Sequence, residues 1–330
     1  MSTAHTLETG GQVATAPVRH FISTGDHPRA VLDAIVDRAI ANAGARSTAL
    51  AGRSVAMLFF NSSLRTRSSF EVGIAQLGGH STTLEVGAGV WNLETIDGAV
   101  MDADKPEHIV DAARVLSRYF DAICVRSFPK LKSLEDDLAD PVISALRDHA
   151  TVPVINLESC LWHPCQAMAD VMTIRQRFGR TDGVKVALAW TPHIKALPTA
   201  VPNSFALAAM QFGCELTIVA PEGYDLPEAV TAQLGGATVS HDQSLLSDQD
   251  VVYAKSWGRL DRYGEPPADT LRDWILTPEK LGDAVFMHCM PLRRNVEATD
   301  AVLESPNNAA YDEAENRLHV QKEILVELIG

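Results

Sequence analysis

The stretch with the clearest chemical meaning follows an apolar run at 54–60 and precedes a helical pattern. Ser63 and Thr66 are residue types that cap the starts of helices, and Arg65 and Arg67 lie beside them. A helix that starts between Ser63 and Thr66 would bring free backbone N–H groups, the positive end of its dipole, two hydroxyls and two guanidinium groups to one point. This stretch therefore predicts a phosphate-binding site.

Further polar groups follow other predicted strands. Arg126 ends one strand, His163 and Gln166 follow a second, and the segment 288–293 ends a third. Ligands of parallel sheets bind beyond the carboxyl ends of the strands, so these groups are expected to meet in one cleft. Each is a weak signal alone, because a single arginine is more often a surface cation, a His-Pro pair is more often a cap or turn, and an ordinary capped helix also fits Arg65.

The elements that must position these groups alternate between strand and helix patterns. Predicted strands lie at 54–60, 80–86, 122–125, 153–157, 184–190, 215–220, 251–254 and 284–288. Predicted helices lie within 20–51, from 63–66 onward, and at 106–120, 134–146, 165–178, 199–212, 227–234 and 314–328, and a long loop covers 256–277. This alternation predicts an α/β protein with two doubly wound parallel-sheet domains.

Size and charge limit the class of protein. A chain of 330 residues is long for one core, and domains of about 150 residues would give two. A net charge of −14 disfavours nucleic acid and anionic membranes as partners. No apolar run approaches the ~20 residues of a membrane span. Residues 1–19 are expected to form a flexible tail without a signal-peptide pattern, which predicts a cytoplasmic protein.

Cysteine and metal chemistry are not expected. The 5 cysteines are irregularly spaced and include no Cys-x-x-Cys pair, so reduced thiols are predicted. No two ligand pairs have the spacing of a zinc site. His288 and Cys289 cannot form a hydrolase pair, because adjacent residues of a strand point to opposite faces. The sequence therefore predicts no cofactor and no metal.

Several motifs occur in the order that is typical of one family. They are Ser-x-Arg-Thr-Arg at 63–67, an arginine after a buried strand at Arg126, His-Pro-x-Gln at 163–166 and His-Cys-x-Pro at 288–291. From about residue 20 to residue 330, the sequence resembles the aspartate and ornithine carbamoyltransferases. One short motif can match by chance, whereas an ordered series of this kind makes chance a poor explanation.

The resemblance implies a site for carbamoyl phosphate. The groups implied for its phosphate are Ser63, the Leu64 backbone and Arg65. The donors implied for its carbonyl oxygen, where negative charge grows as a nitrogen attacks, are Thr66, Arg126 and His163. The acceptors implied for its amine are Gln166 and the backbone carbonyls of Cys289 and Met290. Arg317 is implied as a further cation.

The resemblance also implies a homotrimer. In relatives, a loop of a neighbouring subunit completes the site, and Trp91 occupies that position here. The loop that carries Pro106 is expected to reach the same neighbouring site. The implied division assigns residues 20–170 to carbamoyl phosphate, with the helix 314–330 packing back on them, and residues 171–313 to the acceptor.

The acceptor segments resemble the branch of the family that acts on N-acylornithine. No Ser-Met-Gly loop of the kind that ordinary ornithine enzymes use is present, and 252–258 resembles the acylornithine branch instead. Acylation removes the α-ammonium, which leaves the δ-amine as the sole nucleophile. The residues that match acylornithine contacts are Glu158, His193, Lys255 and Arg293.

One position bears on the acyl group. N-acetylornithine relatives carry glutamate where this chain has Pro106, and N-succinylornithine relatives carry proline. A glutamate ~4 Å from a succinyl carboxylate would repel it by roughly 4 kcal/mol at an effective dielectric constant of ~20. Succinyl is therefore preferred and acetyl stays open, because Pro106 can also be simply the first residue of the helix 106–120.

Two further features of the sequence bear on the activity. Glu297 stands where acetylornithine relatives have a lysine that can be carboxylated, so an anionic contact can survive without modification. A protein that binds anions without catalysis is the alternative class, although the motif residues Arg65, Arg126 and His163 are intact.

Overall fold

A computed structural model describes residues 19–330, so the predicted tail lies outside the described residues except at residue 19. The chain forms two parallel sheets, one of 4 strands and one of 5, each with helices on both faces. The predicted α/β architecture with two doubly wound domains is confirmed. No helix among residues 19–330 combines the length and apolar character that crossing a membrane requires.

The first sheet is built around a central strand whose residues 55–59 are apolar and buried. Its order is β2-β1-β5-β6, with β1 at Ser54–Phe59, β2 at His80–Glu85, β5 at Ala122–Arg126 and β6 at Val154–Glu158. A separate pair of two-residue strands consists of β3 at Leu93–Glu94 and β4 at Glu107–His108. The helices are α1 at Arg29–Ala41, α2 at Arg65–Gln76, α3 at Ile109–Leu116, α4 at Leu134–Leu138, α5 at Pro141–His149 and α6 at Pro164–Phe178.

The second sheet repeats this arrangement. Its order is β11-β10-β7-β8-β9, with β7 at Lys185–Trp190, β8 at Glu215–Val219, β9 at Thr238–Ser240, β10 at Val251–Lys255 and β11 at Val285–His288. The helices are α7 at Ala200–Gln211, α8 at Glu228–Thr231, α9 at Pro278–Leu281, α10 at Asp300–Leu303 and α11 at Ala310–Ile329. Short 3-10 helices lie at Thr24–Asp26, Gln243–Asp248 and Asp269–Trp274.

The last helix returns to the first sheet. α11 packs against α1, α2 and α6. Val320, Ile324 and Leu325 are fully buried in the core that covers one face of that sheet. The predicted helix 314–328 therefore begins earlier than expected, at Ala310, and its burial against three helices rather than propensity alone explains the extension.

The predicted helix 134–146 is wrong as one element. The chain forms α4 and α5 with Asp140 between them at φ 45°. Pro141 disfavours a right-handed helical conformation for the residue before it, and here that residue takes the left-handed one. The break also brings the Asp140 carboxylate to Ser159 and to the backbone N–H of Cys160, so it connects α5 to the segment after β6.

The predicted helix 106–120 also needs correction. The helix starts only at Ile109, where His108 caps it by accepting a hydrogen bond from the Val110 N–H at 3.3 Å. Pro106 is therefore not the first residue of a helix. It is exposed and precedes β4, which pairs with β3.

Other boundaries were set too broadly. The opening helix covers only α1, and residues 42–53 run to β1 without a helix. The predicted helix 227–234 shrinks to α8, and the loop 256–277 contains the 3-10 helix Asp269–Trp274. Several elements of two to six residues were missed, because an amphipathic period needs more residues than these contain.

Each sheet has one point where the strand order reverses. In the first sheet this point lies between β1 and β5, and in the second it lies between β7 and β10. Doubly wound sheets bind ligands at such points, beyond the carboxyl ends of the strands. The residues that follow these four strands are therefore the ones that the fold can bring to a ligand.

Candidate active site

A cleft of about 970 Å³ lies between the two sheets. Residues after β1 and β5 line one side of it, and residues after β7, β10 and β11 line the other. The sequence-predicted residues on its wall are Ser63, Leu64, Arg65, Thr66, Arg126, Glu158, His163, His193, Lys255, Cys289, Met290, Arg293 and Arg317. Both strand-order reversals thus face one cavity.

The start of α2 forms one end of the cleft. The Ser63 hydroxyl accepts a hydrogen bond from the Thr66 N–H at 3.2 Å, so Ser63 caps the helix. Leu64 directs its side chain to solvent and is 75% exposed, which leaves its backbone as the part that can serve a ligand. The first N–H groups of a helix lack intrahelical acceptors and attract anions.

Two arginines from distant parts of the chain lie at the start of this helix. Arg65 Nε donates to the carbonyl oxygen of Met290 at 3.1 Å, across the cleft. Arg317 of α11 is buried and donates from Nη2 to the Thr66 hydroxyl at 2.5 Å. Burial, with the like charges of Arg317 and Arg126, lowers the pKa of Arg65. An anion bound here would relieve that repulsion.

Arg67 differs from the expectation that both guanidinium groups of its motif face a phosphate. It forms ion pairs with Glu71, one turn further along α2, and with Glu85 at the end of β2. Its charge is therefore satisfied within the chain. The motif supplies one guanidinium group at the helix start, and the other cations come from elsewhere in the fold.

Arg126 and His163 share one carboxylate. Arg126 Nη1 donates to Glu158 Oε2 at 2.6 Å, and Arg126 Cζ lies 4.2 Å from the centre of the Phe128 ring. The same oxygen is 3.6 Å from His163 Nε2. Burial, followed by the charges of Arg317, Arg126 and Lys255, lowers the pKa of His163 well below its usual value. His163 is thus a neutral imidazole at pH 7.

The other end of the cleft is cationic too, but less buried. Arg293 Nε donates to His193 Nε2 at 3.1 Å, which joins the segments after β11 and β7. Lys255, at the end of β10, lines the same region. Burial lowers the pKa of His193, so this imidazole is neutral and can accept from Arg293. The arrangement suits the carboxylates of an amino-acid derivative.

A buried anion lies under these cations. Glu297 is 1% exposed and accepts from the Arg293 backbone N–H at 2.7 Å and from His288 Nε2 at 3.3 Å. Burial alone would raise its pKa, but the hydrogen bond and charge of His288 and the charge of Lys255 lower it to about 2. Glu297 therefore remains a carboxylate, and it lines the cleft. The sequence showed it only as a departure from relatives.

Three predicted residues do not line this chain's cleft. Gln166 is buried on α6, one turn after His163, and donates to Asp170 and Glu313. Trp91 is 58% exposed, and Pro106 is exposed as well. The Met290 carbonyl, predicted to bind an amine, accepts from Arg65 instead in this structure.

Some lining residues had no usable signal in the sequence. Phe128, Lys195 and Leu197 belong to the wall, yet loop positions of these types carry no motif. Burial raises the pKa of Cys289 to about 12, so its thiol is neutral. Within residues 19–330, no group of three or more His, Cys, Asp and Glu side chains is arranged to hold a metal ion.

Family models match the chain on both sides of the cleft. The carbamoyl-P binding domain of aspartate/ornithine carbamoyltransferase matches residues 19–176, and the Asp/Orn binding domain matches residues 182–328. The chain belongs to the aspartate/ornithine carbamoyltransferase family. It is a carbamoyltransferase enzyme, and the cleft joins the parts of the chain that match the two domains.

Its relatives support the acylornithine branch. An N-acetylornithine carbamoyltransferase of Xanthomonas campestris pv. campestris is 44% identical, over 95% of this chain and 98% of that protein. An N-succinylornithine carbamoyltransferase of Bacteroides fragilis is 40% identical, over 80% of this chain and 84% of that protein. One similar solved structure is a Glu-to-Pro variant of N-acetyl-L-ornithine transcarbamylase in complex with carbamyl phosphate and N-succinyl-L-norvaline. It is 44% identical with a TM-score of 0.91, and the match covers 94% of this chain and 100% of that chain.

Proposed function

We propose that this carbamoyltransferase moves the carbamoyl group of carbamoyl phosphate to the δ-amine of N2-succinyl-L-ornithine. The products are N-succinyl-L-citrulline and phosphate, as a step of arginine biosynthesis. The observation that carries the proposal is the cleft with a cationic helix start at one end and the Lys255, His193 and Arg293 group at the other. One end suits a phosphate, and the other suits the carboxylates of the acceptor.

The residues at the phosphate end have complementary roles in this proposal. Ser63, the Leu64 backbone and Arg65 hold the phosphate, and Arg317 adds a cation beside Thr66. Carbamoyl phosphate replaces Glu158 as the partner of Arg126. Fixed donors at the carbonyl oxygen stabilise the charge that develops there.

The reaction then needs a neutral nucleophile and a stable leaving group. The δ-nitrogen forms a bond to the carbamoyl carbon, the bond from that carbon to the phosphate oxygen breaks, and the proton lost by nitrogen passes to the leaving phosphate. The lowered pKa of His163 keeps its imidazole neutral, and a neutral imidazole still has one N–H that can be donated to the carbonyl oxygen. Gln166 and the carbonyl groups of Cys289 and Met290 accept from the carbamoyl amine.

The choice of succinyl over acetyl depends on Pro106. Whole-chain identity is higher to the acetylornithine relative, which makes N-acetyl-L-ornithine the second candidate acceptor. Whole-chain identity reports common ancestry, however, whereas the acyl choice depends on the few groups beside the acyl tail. Proline at this position carries no charge to repel a succinyl carboxylate, and a Glu-to-Pro variant of an acetylornithine enzyme was solved with a succinyl ligand.

We further propose that Trp91 and Pro106 act on a neighbouring copy in a homotrimer. Trp91 Nε1 donates to Glu107 Oε2 at 2.7 Å, and β3 pairs with β4 beside it, so Trp91 and Pro106 belong to one exposed unit. Ile96 and Val100 of the same unit are 65% and 78% exposed. Such exposed apolar residues support a subunit contact. Sedimentation of the purified chain tests the trimer.

The domain roles and location follow as proposals of the same kind. Residues 20–170, with the returning helix 314–330, would bind carbamoyl phosphate, and residues 171–313 would bind the acylornithine. The packing of α11 on α1, α2 and α6 supports this division. A cytoplasmic location fits the substrates of this metabolic step, and fractionation of cells tests it.

The decisive experiment is a colorimetric assay for the ureido product with carbamoyl phosphate and three acceptors side by side. N-Succinyl-L-ornithine should give the highest kcat/KM, N-acetyl-L-ornithine a lower one and free ornithine the lowest. A higher value for N-acetyl-L-ornithine would establish the second candidate. Binding of carbamoyl phosphate without product from any acceptor would support the non-catalytic alternative.

A further inference from the structure

The side-chain amide of Gln166 is held by two buried carboxyl groups. Gln166 Nε2 donates to Asp170 Oδ1 at 2.8 Å and to Glu313 Oε1 at 2.7 Å. All three side chains are at most 2% exposed. The amide nitrogen has two hydrogens, and both are used.

This pairing fixes which way the amide points. A reversed amide would place its oxygen against two carboxyl groups that share at most one hydrogen, so the observed orientation is the one that satisfies both contacts. Gln166 Oε1 is buried and has no hydrogen-bond partner among residues 19–330. A buried amide oxygen without a donor is costly, so this acceptor favours a ligand that brings an N–H group.

The surroundings hold the two carboxyl groups in place. Glu313 Oε2 accepts from the His288 backbone N–H at 2.8 Å, which ties α11 to the end of β11. Tyr253 of β10 faces Asp170. Gln166 lies one turn along α6 from His163, which is on the cleft wall. Elements of both sheets therefore converge on one amide.

We propose that Asp170 and Glu313 are positioning residues for carbamoyl transfer. By taking both N–H groups of Gln166, they keep Oε1 directed as an acceptor for the amine of carbamoyl phosphate. Neither carboxyl group touches the substrate. The inference rests on the proposed function, because it needs a ligand with an amine beside a phosphate.

The charge state of the pair agrees with this role. Burial raises the pKa of Asp170 to about 7, and burial and the Asp170 charge raise the pKa of Glu313 well above its usual value. Arg317 lowers both, but less than burial raises them. The pair thus retains a proton near neutral pH, and two adjacent carboxyl groups can accept from one amide without full mutual repulsion.

Two phosphates that differ in one group test the proposal. Carbamoyl phosphate carries an NH₂ group where acetyl phosphate carries a methyl group. Asp170→Asn and Glu313→Gln keep the size of each side chain but can donate to Gln166 Oε1 and turn the amide around. Each variant should lower kcat/KM for carbamoyl phosphate by about tenfold, the loss expected for one hydrogen bond. The inhibition constant of acetyl phosphate should stay within about twofold, because acetyl phosphate has no amine.

A double-mutant cycle separates positioning from general damage. In a Gln166→Ala background, Asp170→Asn should cause little further loss, since the acceptor that it positions is already absent. Equal weakening of carbamoyl phosphate and acetyl phosphate, or additive losses in the cycle, would overturn the proposal. If Asp170→Asn does not fold, Glu313→Gln carries the same test.

Failure of this inference is distinct from failure of the proposed function. If the unmodified enzyme gives no ureido product with any acceptor, the proposed function fails. If it turns over while both variants keep the normal ratio between the two phosphates, only the positioning role fails. The assay uses whichever acylornithine is the better acceptor, so its result does not depend on whether the acyl group is succinyl or acetyl.

Discussion

At the phosphate end of the cleft, Arg65, Arg126 and Arg317 each contact another group of the chain, and Arg317 is buried. At the acceptor end, Arg293 is exposed, and its guanidinium group donates to the half-buried His193. The first end is built by α2, β5 and α11, and the second by segments that follow strands. A preformed end suits the substrate shared by the whole family, and an open end suits the substrate that distinguishes its branches.

The largest effect is expected from Arg65→Ala. Loss of a charge-assisted contact to phosphate at the helix start should lower kcat/KM by roughly 10³-fold, about 4 kcal/mol, with little change in the free energy of unfolding. Steady-state kinetics at varied carbamoyl phosphate checks it.

Arg67→Ala is the matched control. It removes an arginine two residues away whose charge already pairs with Glu71 and Glu85. We expect less than about a threefold change in kcat/KM, because exposed ion pairs contribute little. Equal losses in the two variants would remove the distinction between the two arginines.

The next largest effect concerns stability at the acceptor end. The fold lowers the pKa of Glu297 to about 2 from 4.5, the ordinary value of a glutamate side chain. Its carboxylate therefore contributes about 3 kcal/mol that is fully present above pH 4.5 and is lost as the pH falls towards 2.

Urea unfolding of the parent protein and Glu297→Gln measures this contribution. The difference in the free energy of unfolding between the parent protein and the variant should be largest at neutral pH and should decrease as the pH falls below 4.5. A difference that stays constant with pH would show that the Glu297 carboxylate is not stabilised by His288 and Lys255.

Lys255→Ala should affect the two substrates differently. Loss of this cation should raise KM for the acylornithine about 30-fold, or about 2 kcal/mol, and leave KM for carbamoyl phosphate within about threefold. Initial rates with each substrate varied in turn give both constants. Similar increases in both KM values would mean that the two substrates do not bind at separate ends of the cleft.

The smallest expected effect is that of Pro106→Glu. The new carboxylate should shift the ratio of kcat/KM for N-acetyl- over N-succinyl-L-ornithine upward by about tenfold. Pro106→Ala, which adds no charge, serves as the control and should leave the ratio near that of the parent enzyme. An unchanged ratio in the Pro106→Glu variant would show that this position does not determine which acyl group the enzyme prefers.

The sequence predicted what depends on local pattern. Strand and helix alternation gave the two parallel sheets, and helix-capping residues placed the start of α2 at Ser63 to Thr66, where the structure has it. These features depend on neighbours in the chain. The break at Asp140 was missed although Pro141 marks it locally, and the fold adds contacts from Asp140 to Ser159 and Cys160, some twenty residues away.

The site itself was only partly accessible from sequence. Motifs pointed to 13 residues of the wall, but the pairing of Arg67 and the partners of the Glu297 carboxylate depend on groups that only the fold brings close. The contact of Gln166 with Glu313 joins residues 147 positions apart. Such contacts carry no local pattern, and they decide which groups are free for a substrate.

The most direct test is a crystal structure of this enzyme with carbamoyl phosphate and N-succinyl-L-norvaline, which lacks the δ-amine and cannot react. The phosphate is expected against Ser63, Arg65 and the N–H groups that start α2, with the acyl amino acid against His193, Lys255 and Arg293. Phosphate density away from the start of α2, or the acyl amino acid bound outside the cleft, would contradict the proposed division of the site.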